Sequence, residues 1–285
     1  MKNLKSIPFA SLLLFAFILI LSSCQKEQVA EKDVDTPKLE TEEQVFLPVN
    51  DEVKKKFNSL QYNGDEVLKE LVKFPDGSVK EYYAIGDMLF SDEDLELQLM
   101  EAANDPEGKQ YRTSSVVSHP DIITVRGVNS GGLALNAQAQ TGLQWAINNY
   151  NALGLDLTFI LTYGPFSGAA DINVFTVTNP SGGGSAGFPS GGDPFPFARI
   201  NSGTSGSTNV FEHIIGHEIG HCLGMRHSDW WCRTSCGGCN PESPATWIWG
   251  TAVGFESNSL FNACFSSGTN GEFNANDRDA LRRVY

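Results

Sequence analysis

The eleven residues from His217 to His227, His-Glu-Ile-Gly-His-Cys-Leu-Gly-Met-Arg-His, constrain this chain more than any other segment. Histidines four positions apart lie on one face of a helix, so the rings of His217 and His221 can bind one metal ion. Gly224 can adopt the left-handed conformation that ends a helix, and the resulting turn would bring His227 to the same ion. Three histidines and one open position are typical of a catalytic zinc site.

Two neighbouring residues have different expected roles. Glu218 follows the first histidine and is placed to deprotonate a metal-bound water. His213 continues the row of histidines, but it is eight residues from His221, or about 12 Å of helix rise, which is too far for one zinc with bonds of ~2 Å. We therefore expect His213 to be packed in the core or to support a ligand.

The first 24 residues are typical of an export signal. Lys2 and Lys5 precede an apolar run over 8–21 that is too short for a stable membrane span. The following Leu-Ser-Ser-Cys resembles the lipobox of bacterial lipoproteins. This resemblance implies that Cys24 is lipidated and that the protein is exported and membrane-anchored, on the outer membrane or cell surface. The alternative is an ordinary signal peptide or an uncleaved anchor.

The charge of the chain limits its partners. The net charge is −14, and removal of residues 1–24 leaves 18 basic and 34 acidic residues, a net −16. Nucleic acid and anionic membrane surfaces attract positive charge, so neither is expected as a partner. Membrane attachment would depend on the lipid alone. We expect a monomer.

Composition divides the exported chain into three parts. Residues 25–45 are polar and acidic without apolar periodicity, which predicts a flexible tether. Residues 46–114 form a propeptide or accessory region, with helices predicted at 53–60 and 67–71 and a strand at 80–85. Residues 115–285 form the predicted catalytic domain.

The catalytic domain alternates strand and helix patterns, which predicts an α+β fold. Strands are expected at 122–128, 157–163 and 170–177, and helices at 133–152, 209–222 and 274–285, the last with Asn274 as N-cap. A glycine-rich loop over 181–193 is expected to enclose a short strand near 186–188.

The zinc motif and this order of elements resemble the metzincin zinc proteases. The His-Glu-Ile-Gly-His string and the tail over 273–285 are similar to the bacterial HEIGH, or dual-action, metallopeptidase family, over roughly residues 110–285. The resemblance implies a mixed twisted sheet, two long helices and a short C-terminal subdomain with a final helix. It implies a zinc endopeptidase that hydrolyses extracytoplasmic proteins through a zinc-bound water activated by Glu218, with His217, His221 and His227 as ligands. Substrate would extend along an edge strand at Ala186, Gly187 and Phe188.

One position departs from the metzincin pattern. Ser259-Leu260-Phe261-Asn262 stands where the family has a methionine turn beneath the zinc, so Phe261 replaces the methionine. The rigid Phe261 ring therefore occupies a position where the family has a flexible methionine side chain. This departure favours an alternative function, a non-catalytic surface lipoprotein that uses the scaffold for binding, whereas the intact Glu218 favours an enzyme.

Latency is a second open point. Cys24 is the only cysteine before Cys222, and lipid would occupy it, so a cysteine-based propeptide switch is excluded. Residues 46–105 could present an aspartate to the zinc, and Asp87 in Gly-Asp-Met is a candidate; alternatively, the region is an acidic accessory domain. Calcium binding by the loop at 182–193 is possible but has no support in the sequence.

Five further cysteines follow, at positions 222, 232, 236, 239 and 264. An exported setting favours disulfides over a reduced metal site, although a second metal at Cys232, Cys236 and Cys239 is an alternative. Spacing does not determine the pairing. We expect a bridge from Cys264 to the 232–239 loop, with Cys222 buried as a small apolar residue.

Overall fold

The computed structural model describes residues 44–285 except 61, 75–76, 102–109, 120, 240, 243–244 and 252–253. The predicted export signal, Cys24 and most of the predicted tether therefore lie outside the described residues. Within the described part of the chain, no helix has both the length and the apolar character needed to cross a membrane.

Twelve strands and five α-helices are described. The strands are β1 Val45–Pro48, β2 Leu68–Lys73, β3 Val79–Ile85, β4 Met88–Phe90, β5 Tyr111–Arg112, β6 Ile122–Val128, β7 Thr158–Gly164, β8 Ile172–Val177, β9 Gly184–Gly187, β10 Phe197–Asn201, β11 Met225–Arg226 and β12 Thr246–Trp247. The helices are α1 Asp51–Ser59, α2 Asp92–Glu101, α3 Ala137–Asn151, α4 Thr208–Cys222 and α5 Ala275–Val284.

Nine strands form one mixed sheet in the order β1-β2-β3-β4-β9-β10-β8-β6-β7. Strands β7, β6, β8 and β10 are mutually parallel, and β9 pairs antiparallel with β10. Parallel strands are usually covered on both faces, and β8, Ile-Asn-Val-Phe-Thr-Val, is buried at five of its six positions. Helices α3 and α4 pack against each other in close contact, and α4 lies on β9 and β10. This packing fixes α4 beside the central strands.

The N-terminal strands belong to the same sheet. Strand β4 pairs in parallel with β9, with Met88 opposite Ala186, so β9 has neighbours on both sides. The strand predicted as the substrate edge is therefore not an edge in this chain, because a segment distant in sequence pairs with it. Across the sheet, the Glu70 carboxylate forms a buried bidentate ion pair with the Arg199 guanidinium.

The α+β class is confirmed, and the predicted strands and helices of the 115–285 region are present with shifted ends. Strand β10 was not predicted. The helix predicted at 67–71 is wrong, because this segment forms β2. Its apolar spacing fits either structure, and its backbone pairs with β1 and β3 on both sides, which has no local signal in this segment.

Two disulfides close the segment after α4. Cys236 bonds to Cys264, as expected for a bridge between Cys264 and the 232–239 loop, and Cys232 bonds to Cys239. Cys232, Cys236 and Cys239 are therefore all disulfide-bonded, so they do not form the alternative second metal site. Cys222 is buried as a free thiol.

Candidate metal centre

Helix α4 carries the first two histidines of the motif. Its residues from Val210 to Cys222 are all buried, so packing against the sheet and α3 fixes its rotation. The helix ends where Gly224 adopts φ 100°, a conformation that favours glycine. A Cβ at this position would also lie 2.8 Å from the Ser115 carbonyl oxygen. The chain therefore turns back here, and His227 follows the short strand β11.

Three imidazole nitrogens and one carboxylate oxygen converge at this turn. Among the described residues, Asp87, His217, His221 and His227 form a group whose potential ligand atoms all lie within 4.8 Å of one another. The Nε2 atom of His227 is 3.2 Å from that of His221 and 3.3 Å from that of His217. The three histidines predicted as ligands are thus brought together, and His213 is not in the group.

Each of the three rings is held through its other nitrogen. Nδ1 of His217 is 2.8 Å from the Leu260 carbonyl oxygen, and Nδ1 of His221 is 2.7 Å from that of Met225. Nδ1 of His227 is 2.7 Å from a carboxylate oxygen of Glu242. These oxygens accept hydrogen bonds from Nδ1, so each ring directs its Nε2 inward.

Nε2 of His227 is 3.2 Å from one neighbouring Nε2 and 3.3 Å from the other, and such close lone pairs repel each other unless a proton or a metal cation lies between them. Imidazole nitrogens with an oxygen ligand are a suitable donor set for Zn²⁺. The convergence of the three Nε2 atoms therefore fits the metal that the sequence predicts.

Asp87 reaches the cluster from the tip of a hairpin. Gly86 and Asp87 form the two-residue connection between β3 and β4, in which Ile85 pairs with Met88. Gly86 has φ 62°, as the first central position of a type II′ hairpin turn requires. The Asp87 Oδ2 atom lies 3.3 Å from Nε2 of His227 and 3.6 Å from Nε2 of His217.

The charges of the clustered side chains shift one another's pKa values. Burial would raise the pKa of Asp87, but His227 and His217 lower it well below its usual range. Burial would lower the pKa of His227, but Asp87 and Glu242 raise it to about 10. The two carboxylates therefore attract a positive charge to this position, and a divalent cation would replace the proton.

Glu218 faces the same pocket from the side of β9. It is 2 % exposed, and its Oε2 atom has no hydrogen-bond partner in the described part of the chain. Burial, and then the Asp87 charge, raise the pKa of Glu218 well above its usual range. Gly184 allows this approach, because a Cβ there would lie 2.8 Å from the Glu218 side chain. A cavity of about 430 Å³ is bordered by Glu218, His217 and Asp87.

Phe261, which stands at the methionine position of the metzincin turn, lies beneath the histidine cluster. Phe261 is fully buried, its ring centroid lies 6.4 Å from that of His217, and it packs against Gly220 of α4. The preceding residue, Leu260, holds the His217 ring through its carbonyl oxygen. Asp277, in the first turn of α5, accepts hydrogen bonds from the Leu260 backbone and the Ser259 hydroxyl.

Sequence reasoning missed Glu242 and Asp277. Asp277 had an accessible signal, since it completes the capping box of α5 with Asn274, the predicted N-cap. Glu242 had no local signal, because it contacts His227 only through the fold of the disulfide-bonded segment.

His213 lies one helical turn before His217, with ring centroids 6.4 Å apart. It is 5 % exposed, and burial, together with the His217 charge, lowers the pKa of His213 to about 3. The ring is therefore neutral. The structure places it outside the ligand cluster and in the wall of the adjoining cavity.

Comparison with known proteins places this centre in a family. No curated protein matches the chain. Two of the solved structures that match the chain are of myroilysin. The one entitled "Structure of Myroilysin" is 15 % identical, with 60 % of this chain and 82 % of that chain covered and a TM-score of 0.37. The one entitled "Crystal structure of myroilysin" is 17 % identical, with 61 % of this chain and 88 % of that chain covered and a TM-score of 0.37. The sequence profile of the dual-action HEIGH metallo-peptidases matches residues 83–285, which include Asp87 and the whole zinc motif. The chain therefore belongs to the dual-action HEIGH metallo-peptidase family, which confirms the metallopeptidase assignment made from its motif.

Proposed function

We propose that this protein is a zinc-dependent endopeptidase that cleaves proteins outside the cytoplasm and that the full-length chain is latent. The observation that supports the activity is the convergence of three inward-facing Nε2 atoms beside the buried, unpartnered Oε2 of Glu218. A zinc ion held by the three histidines would polarise the scissile carbonyl and lower the pKa of water.

Glu218 acts as the general base in this proposal. Its carboxylate accepts a proton from the attacking water and then donates it to the departing amine. Burial raises the pKa of Glu218, which assists its return to the neutral acid between these steps. Gly184 provides the space that lets this side chain reach the reacting atoms.

Latency is supported by two contacts of one hairpin. Asp87 contributes a carboxylate at the position where a substrate carbonyl or water would approach the metal. Strand β4 also pairs with β9 through Met88 and Leu89, so an extended substrate competes with β4 for the backbone of β9. As a propeptide, this region would thus cover both the potential metal ligands and the strand expected to bind substrate.

Export and membrane attachment belong to the same proposal. The Leu-Ser-Ser-Cys sequence before residue 25 supports lipidation of Cys24, with the protein attached to the outer membrane or cell surface. Metabolic labelling with a palmitate analogue tests this directly. Labelling of the wild-type chain and of Cys24→Ser to the same extent would exclude the assignment.

The activity is tested by removal of the Glu218 carboxylate in a chain that already lacks the blocking Asp87 carboxylate. Full-length Asp87→Ala is compared with Asp87→Ala/Glu218→Ala on labelled casein, and the metal content of both is measured by elemental mass spectrometry. Loss of the base should reduce the rate about 10²–10⁴-fold with the metal retained. Equal rates would show that Glu218 is not the base, and cleavage by neither variant would favour a non-catalytic scaffold.

A further inference from the structure

Another cavity lies outside the metal centre, between α3, α4 and the segment that precedes α5. It has a volume of about 460 Å³ and shares no lining residue with the cavity beside the metal ligands. Its described lining consists of one tryptophan, four asparagines and two glutamates, without a basic side chain. A concave surface with one aromatic ring and several convergent polar groups is typical of a site for a small ligand.

Trp145 provides the aromatic ring of this cavity. It is 39 % exposed although it belongs to α3, which packs against α4. Its Nε1 atom has no hydrogen-bond partner in the part of the chain that the structure describes. Asn148 and Asn149 follow at helical spacing and therefore lie on the same face of α3. An exposed indole at such a place offers a ligand a large flat apolar surface and one N–H donor.

The asparagines around this ring supply further hydrogen-bond donors. Oδ1 of Asn148 accepts a hydrogen bond from Nε2 of Gln144 at 3.0 Å, and Oδ1 of Asn270 accepts one from the Glu272 backbone N–H at 3.1 Å. The Nδ2 atoms of Asn148 and Asn270 have no partner among the described residues, and neither does the side-chain amide of Asn209. Three amide donors are therefore available to a ligand beside the indole.

Two carboxylates supply acceptors in the same cavity. Oε1 of Glu212 accepts a hydrogen bond from Nδ2 of Asn149 at 2.9 Å, and the exposed Glu272 has no salt bridge within the described residues. A hydroxyl group both donates and accepts, so it can pair with the amides and with the carboxylates. A metal or ammonium cation would pair only with the acceptors, and an anion would meet two negative charges. The mixture of donors and acceptors therefore favours a ligand with several hydroxyl groups.

We propose that this cavity binds a pyranose sugar, with the apolar C–H face of the sugar ring stacked on the Trp145 indole. The sugar hydroxyl groups would pair with the amides of Asn148, Asn209 and Asn270 and with the carboxylates of Glu212 and Glu272. The bound sugar would not contact the metal ligands, so this site attaches the protein to a glycan and takes no part in bond cleavage. The assignment does not depend on the proposed peptidase activity.

Titration of the full-length chain, labelled with ¹⁵N at tryptophan, tests the proposal. The probes are the methyl glycosides of glucose, galactose, mannose and N-acetylglucosamine. At least one of them should shift the indole N–H resonance of Trp145 saturably, with a Kd in the millimolar range that is usual for a ligand of this size. The resonance is assigned by its absence from the spectrum of Trp145→Ala. If none of these glycosides shifts it, the proposal is wrong.

Variants locate the binding site by saturation-transfer NMR with the glycoside that binds best. Trp145→Ala should weaken binding at least about tenfold. Trp249→Ala, which removes a tryptophan that is 80 % exposed outside this cavity, is the matched control and should bind as the wild type does. Unchanged affinity in a folded Trp145→Ala would overturn the assignment. If that variant does not fold, Asn209→Leu decides in its place, because it removes an amide of the cavity and should also weaken binding.

Cations are the competing ligands, because two carboxylates border the cavity. Butylammonium and Ca²⁺ are therefore titrated in the same way, and neither should shift the Trp145 resonance saturably at millimolar concentration. A saturable shift with either cation and with none of the glycosides would assign the cavity to cations and overturn the proposal.

Discussion

The Asp87 carboxylate lies 3.3 Å from Nε2 of His227, although one belongs to the N-terminal hairpin and the other follows the zinc helix. This contact joins the two regions that charge and composition separate. The N-terminal hairpin therefore contributes an acidic side chain directly to the cluster of potential metal ligands.

Removal of this carboxylate should activate the full-length chain. A tethered ligand has an effective concentration in the millimolar range, so Asp87→Ala should raise the initial rate on micromolar casein at least about tenfold. Asp65→Ala is the control, since Asp65 is an exposed residue of the same region that pairs only with Lys54 in the salt bridges described. Unchanged activity with zinc bound would contradict a blocking role for Asp87.

Glu242 should strengthen metal binding without contact with the metal. It holds Nδ1 of His227 at 2.7 Å and thereby fixes the ring orientation and increases the basicity of Nε2. Glu242→Ala should weaken zinc affinity about 10–100-fold in competition with a chelator. The exposed Glu66→Ala should have no effect, and equal affinities for all three proteins would rule out this role.

Gly220 and Phe261 should be coupled in stability. A Cβ at position 220 would overlap the rigid Phe261 ring, so Gly220→Ala should cost roughly 1–3 kcal/mol of unfolding free energy. Phe261→Met should recover part of that loss in the double variant, because methionine is flexible.

Urea denaturation of the two single variants and the double variant measures this coupling. Gly168→Ala, whose Cβ would meet nothing within 4 Å, is the matched control. Strictly additive changes for Gly220→Ala and Phe261→Met would show that the ring does not require the glycine.

Glu212 should make stability depend on pH. Burial, and then the neighbouring Glu272 charge, raise the pKa of Glu212 from its usual 4.5 to about 7. The folded state thus binds a proton more tightly than the unfolded state, so this contribution to stability is complete below about pH 4.5 and is lost as pH rises through about 7. The Glu212→Gln variant should not lose this contribution to stability as pH rises, because glutamine does not titrate.

Melting temperatures of the wild type and Glu212→Gln, measured from pH 4 to 8, test the direction of this pH dependence. The melting temperature of the variant should exceed that of the wild type by a margin that grows as pH rises. Glu272→Gln should have a smaller effect in the same direction, because it removes only the neighbouring charge. Parallel curves for wild type and Glu212→Gln would contradict the shift.

The sequence by itself determined which three histidines lie close together. Helical spacing brings His217 and His221 together, and Gly224 turns the chain towards His227; both are local properties of an eleven-residue segment. The expected helices and strands of the 115–285 region and the α+β class also followed from local periodicity. Asn274 was identified as an N-cap from residue type alone.

Only the tertiary structure decided how this centre is surrounded. Glu242 reaches His227, Asp87 faces the histidines, and β4 covers β9 through contacts between distant segments. The segment at 67–71 forms a strand for the same reason, since its backbone pairs with β1 and β3. The sequence periodicity of a helix or strand indicates which of its side chains share a face. Contacts between distant segments depend on how the helices and strands pack together, which only the whole fold determines.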